Sequence, residues 1–201
     1  DKINKLEVKK VILFIISLAI AYYIFKKIGR QNLLNTILIS AALYLFFTSL
    51  IDFLKFKNNL SQITAHFGFG LLILSILFNG IFSKEFSSNM KIGDEIEFEN
   101  ELIKFNKVEY FTGSNYKSVI ANFVIIDEKN NTTKFFPEIR IYNQPEILTS
   151  EADIKTSIFY DKFLVVNLLK NENYFNVRYQ VKSFMIWIWI STLIMVFGGF
   201  L

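Results

Sequence analysis

The chain of 201 residues has no cysteine and only one histidine, His66. Without cysteine there is no disulfide, no thiolate nucleophile and no zinc–thiolate site. One imidazole cannot make a bis-histidine site, so any second ligand to a metal at His66 must come from outside this chain. No Ser–His–Asp constellation is visible. The lack of cysteine names no compartment, because an exported domain needs no disulfide if its core is large enough. Internal repeats and low-complexity linkers are also missing. Positive charge is scarce where a nucleic-acid binder would need it. Residues 84–183 hold 13 Lys and Arg against 15 Asp and Glu, while the rest of the chain holds 9 against 3. The basic balance belongs to the flanks of apolar runs, where lysine sets orientation and meets anionic membrane lipid, and no nucleic-acid partner is expected.

Apolar residues are abundant: 52% of the chain is hydrophobic and 17% aromatic, with 23 Phe. They concentrate in "VILFIISLAIAYYIF" (11–25), "LLNTILISAALYLFFTSLI" (33–51), "ITAHFGFGLLILSILFNGIF" (63–82) and "SFMIWIWISTLIMVFGGFL" (183–201), none of which contains a charge. A bilayer core of roughly 30 Å needs about 20 such residues in a helix. The first run is shorter, but Lys9, Lys10, Lys26 and Lys27 flank it and can snorkel to the interfaces. It ends in "FKKIGRQN" with no small-residue cleavage site, which argues against a secretory signal. The chain begins with Asp and stops inside the last apolar run, so it is expected to be a fragment of something longer.

Between the third and fourth runs, "ELIKFNKVEYF", "KSVIANFVIID" and "TTKFFPEIRIY" alternate apolar and polar residues, separated by the turn formers "TGSNY" and "DEKNN". "DKFLVVNLL" and "YFNVRYQV" add two strands around "KNENY", and "EADIKT" reads as a helical turn or a strand edge. The expected fold class is therefore a membrane α-helical protein with four transmembrane helices. An all-β extramembrane domain, a small sandwich or barrel, is inserted between the third and fourth. The domains read as 1–83, a three-helix membrane region; 84–183, the β-rich domain; and 184–201, the final span. Lys2, Lys5, Lys9, Lys10, Lys55 and Lys57 on one membrane face outnumber Lys26, Lys27 and Arg30 on the other. The positive-inside rule then puts 84–183 outside.

Ionisable groups in membrane helices are costly and mark function by default, which singles out His66. It reads either as an imidazole satisfied by a backbone carbonyl or interfacial water, or as an axial ligand to haem iron. Gly70 lies one turn on along the same face, with Ala65 and Gly68 close by. Small residues there admit a porphyrin or a second helix. "GFG" and "FGGF" are poor phosphate loops, since both lie within apolar spans. Trp187 and Trp189 of "WIWI" suit a water–lipid boundary. Arg140 has Glu138, Glu151 and Asp153 as candidate ion-pair partners, worth ~0–1 kcal/mol when exposed.

Taken in order, five stretches resemble the carboxy-terminal part of the CcmF/CycK family of cytochrome c-type biogenesis proteins, the haem lyase subunit. They are "AHFGFGLLILS", "GSNY" (Gly113, Asn115, Tyr116), "FPEIRIYN" (Pro137, Glu138, Arg140, Tyr142), "TSEADIKTSIFYDKFLV" and "VRYQVKSFMIWIWISTLIMVFGGF". The family's "PEKR" reads "PEIR" here, and its "KP" reads "KS" at Lys182 and Ser183. The resemblance implies a bacterial inner-membrane protein with 84–183 facing the periplasm. It would take haem from the periplasmic chaperone CcmE, attach it to apocytochrome c, and work with other cytochrome c maturation membrane proteins. It also implies a b-type haem in the membrane, with His66 as one axial ligand to the iron and Gly70 packing beside the macrocycle. The family's other ligands, its tryptophan-rich motif and its chaperone-haem histidines lie upstream of the matching region. This chain alone is therefore expected to lack lyase activity. The rival readings are a non-catalytic structural or interaction module of an envelope complex, and, with less polar lining to support it, a transporter or sensor.

Overall fold

The computed structural model describes residues 2–28, 32–55, 59–169 and 174–201. Lys57, Arg30 and the "KNEN" part of the turn expected at 170–174 lie outside the described residues. The chain separates into two compact units, one of Asp1–Ile81 with Phe184–Leu201 and one of Phe82–Ser183.

The first unit is helical: α1 (Lys2–Ile28), α2 (Leu33–Lys55), α3 (Leu60–Phe82) and α4 (Met185–Phe200). Among the described residues three stretches are long and apolar enough to cross a membrane: Val8–Lys27, Leu33–Lys55 and Leu60–Phe82. The first extends beyond the charge-free run because Lys9, Lys10, Lys26 and Lys27 continue the helix with their side chains exposed. Apolar α4 covers 16 residues, about 24 Å at the helical rise, and is the shorter helix of the set. Asn32 starts α2 by accepting a hydrogen bond from the Leu34 N–H at 2.9 Å. Ala21, Phe25, Ile39, Ala42, Leu43 and Leu74 form the helical core. Buried Ser17, Ser40, Ser75 and Ser191 each donate to a carbonyl three or four residues back in their own helix. Their hydroxyls are thereby satisfied and their small size lets neighbouring helices close in. Large apolar side chains such as Ile15, Leu34, Leu54, Leu193 and Phe197 point outward, as hydrocarbon permits and water does not.

The second unit is a sandwich of two antiparallel sheets. One has the order β1 (Lys84–Met90), β10 (Phe175–Ser183), β9 (Tyr160–Leu168), β8 (Asp153–Thr156). The other runs β2 (Glu95–Phe98), β3 (Glu101–Thr112), β4 (Tyr116–Ile126), β6 (Glu138–Asn143), β7 (Glu146–Glu151), with β5 (Thr132–Phe135) also on β4. "EADIKT" thus resolves as strand β8. The run "TTKFFPEIRIY" is two strands rather than one, because Pro137 has no N–H for the ladder. Its carbonyl still accepts from Ala121 N–H at 3.0 Å. A bulge between Phe105 and Lys107 resets the alternation of β3, so Phe105 and Val108 both face the core. Phe105, Phe123, Phe135, Ile125 and Ile139 from one sheet meet Leu164, Val166, Val177 and Tyr179 from the other.

Tyr179 is fully buried and carries its hydroxyl to Glu101 Oε2 at 2.7 Å. Glu101 also pairs with Lys162, and both charged side chains are less than one-fifth exposed. Burial, reinforced by the Glu101 carboxylate, pushes the tyrosine far above the ordinary phenol range, so it stays a donor. Tyr179→Phe removes a hydrogen bond to an ionised acceptor and should lower stability by about 1.5–3 kcal/mol. Chemical denaturation of the purified chain in detergent would measure it, and an unchanged midpoint would deny the bond any weight.

Candidate functional site

Helix α3 presents three faces, two packed on neighbouring helices and one bordering a groove. Ser61, Ala65 and Gly68 meet α4. The Ser61 hydroxyl donates to the Gly198 carbonyl at 2.6 Å. A Cβ built on Gly68 would lie 2.8 Å from Met195 N, and one on Gly198 would lie 2.5 Å from Ala65 N. Phe67 and Gly70 meet α2. Phe67 stacks on Phe53 at 5.2 Å and tilts against Phe46 at 5.6 Å. A Cβ on Gly70 would come 3.0 Å from Ser49 Oγ and 3.2 Å from Phe46 Cα. Of the two occupants that the small residues admit, both glycines therefore take a helix. Gly70 in particular is packed against α2.

The third face carries Gln62, His66 and Phe69, which helical spacing stacks at i, i+4 and i+7. His66 is exposed there and opens onto a groove of about 510 Å³ between α2 and α3. Thr48, Ser49 and Asp52 line the α2 side, Gln62, His66 and Phe69 the α3 side. Thr48 and Ser49 spend their hydroxyl protons on the carbonyls of Tyr44, Leu45 and Phe46 at 2.9 Å. Asp52, Lys55 and Gln62 are thus the groove groups left to act on a guest. Among the described residues the imidazole has no hydrogen-bond partner. Its free nitrogens and its open face fit an axial ligand, the role a neutral imidazole performs for haem iron. Ligand clefts commonly enclose about 300–1,000 Å³, and this groove is within that range.

The sequence alone did not join Asp52 to His66. The signal was present as the two ionisable groups in or bordering the second and third runs, but only the packing of α2 on α3 puts them in one groove. Trp187 and Trp189, near the start of α4, diverge: Trp189 is 65% exposed, while the indole nitrogen of Trp187 is enclosed with no partner among the described residues. In the β unit, a cleft of about 600 Å³ is lined by Glu101, Lys162, Tyr160 and Asp127. Two of its charged groups are answered internally: Lys162 by Glu101, and Asp127 by Asn131 and the Lys129 N–H. Hydrogen bonds from Asn131, then from the Lys129 N–H, hold the Asp127 carboxyl below the usual carboxylate range. Among the described residues no group of three or more His, Asp or Glu could hold a metal ion.

A family model described as "CcmF C-terminal beta-sandwich" matches residues 81–183, the whole of the sandwich just described. The chain belongs to the CcmF family. Its helices and sandwich also superpose on a solved structure titled "Cytochrome c Heme Lyase CcmF", with a TM-score of 0.71 and 15% identity over 94% of this chain and 33% of that one. The likeness is one of fold. Cytochrome c-type biogenesis protein CcmF of Escherichia coli (strain K12) is 29% identical over 140 residues, 70% of this chain and 22% of that protein. Cytochrome c-type biogenesis protein ccl1 of Rhodobacter capsulatus is 33% identical over 109 residues, 54% of this chain and 17% of that protein. The chain thus spans about a fifth of the length of these CcmF relatives. The two departures from the family stretches have structural readings. Ile139, in "PEIR", is fully buried in the sandwich core, and the Ser183 N–H, which a proline would lack, donates to Ser83 Oγ at 3.1 Å.

Proposed function

We propose that this chain is the carboxy-terminal part of a haem lyase acting in cytochrome c maturation, and that His66 is one axial ligand of a membrane b-type haem. The observation that carries the reading is the exposed imidazole, without a hydrogen-bond partner among the described residues, opening onto the groove between α2 and α3. His66 would hold the iron through a ring nitrogen. Asp52, on the opposite wall of the groove, is the acceptor we assign to the other ring N–H, where it would fix the tautomer and raise ligand basicity. Phe69 and Leu45 give the groove its apolar lining, against which a macrocycle would pack. The bound haem would supply one-electron chemistry, and the second ligand would come from residues outside this chain. In this reading α4 is a fourth span, the sandwich stands in the periplasm, and the membrane is the bacterial inner membrane. Haem would arrive from the chaperone CcmE and leave on apocytochrome c, with other maturation proteins as neighbours.

The test is pyridine haemochrome analysis of purified full-length protein beside His66→Ala and Asp52→Asn versions. His66→Ala should lose the b-haem, while Asp52→Asn should keep it with a shifted midpoint potential. Unchanged haem in the His66 variant removes the ligand assignment. The absence of haem from all three versions, including the unaltered protein, would favour a non-catalytic envelope module instead.

A further inference from the structure

Three stretches singled out in the sequence, "GSNY", "FPEIRIYN" and the "TSEA" run, take no part in the helix groove, yet the fold gathers them on one face. Alternation along β4 and β6 sends Ala121, Phe123 and Ile139 into the sandwich and the residues between them outward. Across β3, β4, β6 and β7 the outward residues fall into register rows. Phe111, Ser118, Arg140 and Thr149 make one row, and Tyr116, Tyr142 and Ile147 the next. On the other side of Arg140 lie Glu109, Ile120, Glu138 and Glu151. The Tyr116 ring lies over Gly113, where a Cβ would meet it at 2.9 Å, and it packs 5.7 Å from the Tyr142 ring. Arg140 pairs with Glu138 and stands 5.0 Å above the Tyr116 ring.

Two features of this face work against the fold's own stability. Glu138 and Glu151 are directly opposite each other in the ladder, and like charges so placed destabilise a strand pair. Arg140 answers Glu138, but among the described residues Glu151 receives only the Thr149 hydroxyl, at 3.1 Å. Independently, Ser118 is 1% exposed on this same face, and its Oγ has no partner among the described residues. A buried hydroxyl left in that state costs about 1–3 kcal/mol. Both features are resolved by an incoming chain that brings a cation and a hydrogen-bonding group.

We propose that the outer face of the six-stranded sheet docks a lysine- or arginine-bearing segment of a partner polypeptide, its cation entering between Glu138 and Glu151. The tyrosine rings lie two rows away and Tyr116 already faces Arg140, so the two carboxylates hold the cation. Ser118 supplies a hydrogen bond in the row beside them. A polypeptide fits better than a small cation, because the paired rows cross four strands at about 4.8 Å each, the reach of an extended segment. The docking face is independent of the haem reading, since it uses no residue of the helical unit.

The experiment titrates a fluorescein-labelled peptide of alternating lysine and alanine into the full chain in neutral detergent, read by anisotropy. The lysine peptide should bind and weaken with salt, and a glutamate-for-lysine version should not bind. The Glu138→Gln/Glu151→Gln double variant should bind about tenfold more weakly, while Glu128→Gln, on an exposed turn away from this face, should match the unaltered chain. Without peptide, Glu151→Gln should raise the melting temperature by removing the opposed charge. Equal binding by the double variant, no binding of the lysine peptide at low salt, or a lower melting temperature for Glu151→Gln would each overturn the proposal.

Discussion

Gly198→Ala should loosen α4 from α3, whereas Gly199→Ala, one residue along, should leave the pair intact. The contrast follows from what each new methyl would strike. On Gly198 it would lie 2.5 Å from Ala65 N and 2.9 Å from Ala65 Cα. These are backbone atoms and cannot rotate away, so the helices must part. Parting them also breaks the Ser61 hydroxyl bond to the Gly198 carbonyl, worth about 1 kcal/mol in its own right. Overpacking elsewhere costs about 1–3 kcal/mol, and a backbone-to-backbone clash belongs at the upper end. Gly68→Ala should behave like Gly198→Ala, because its methyl would meet Met195 N at 2.8 Å and Ser191 O at 3.0 Å. Gly199 and Gly80 have nothing within 4 Å, and alanine there adds helix propensity of up to about 1 kcal/mol. The chain has two tryptophans, Trp187 and Trp189, and both are on α4. Thermal unfolding in detergent followed by tryptophan fluorescence therefore reads this helix directly. Equal midpoints for Gly198→Ala and Gly199→Ala would mean that α3 and α4 do not touch as described.

The same helix shows how far a sequence can be read. "AHFGFG" announced that something approaches α3 closely near His66, and left a porphyrin and a helix as alternatives. Periodicity alone groups 65 with 68 and sets 62, 66 and 69 along another stripe, with Gly70 at its edge one turn from His66. It cannot say which neighbour covers each face, and α4 arrives at Gly68 from more than a hundred residues further along the chain. In the sandwich the long alternating strands β3, β4, β9 and β10 were legible for the same physical reason that they are stable: each has one face in the core. "KEFSSNM", "EIEF" and "EILTSE" were not, being short or polar segments whose pairing partners make them strands. The outer face of the larger sheet was legible only as separate motifs. Register, a property of pairs of strands, is what turns "GSNY" and "PEIR" into neighbours, with Tyr116 opposite Tyr142 and Ser118 opposite Arg140.

That register has a test of its own, and Phe123→Ala should show it with a large loss. Phe123 is 1% exposed and stacks on Phe105 at 4.4 Å with the rings 14° from parallel. Phe105 in turn meets the edge of Phe175 at 5.4 Å, so the trio ties β3 and β4 to β10 across the two sheets. Truncating a buried phenylalanine costs about 3–5 kcal/mol, which is a fifth or more of the ~5–15 kcal/mol that holds a domain together. The adjacent pair Phe135 and Phe136 provides the control. Phe135 is fully buried, but Phe136 is 46% exposed and its backbone N–H, which alanine keeps, donates to Asp153 at 2.7 Å. Phe136→Ala should change stability by no more than about 0.5 kcal/mol. Hydrogen exchange over Glu101–Thr112 and Tyr116–Ile126 would separate the two, with protection falling in the Phe123 variant alone. A slip of one residue in β4 would turn Phe123 to solvent and draw Tyr116 and Ser118 inward. A mild Phe123→Ala would therefore dissolve the sandwich core as described and, with it, the sheet face on which Glu138, Arg140 and Tyr116 meet.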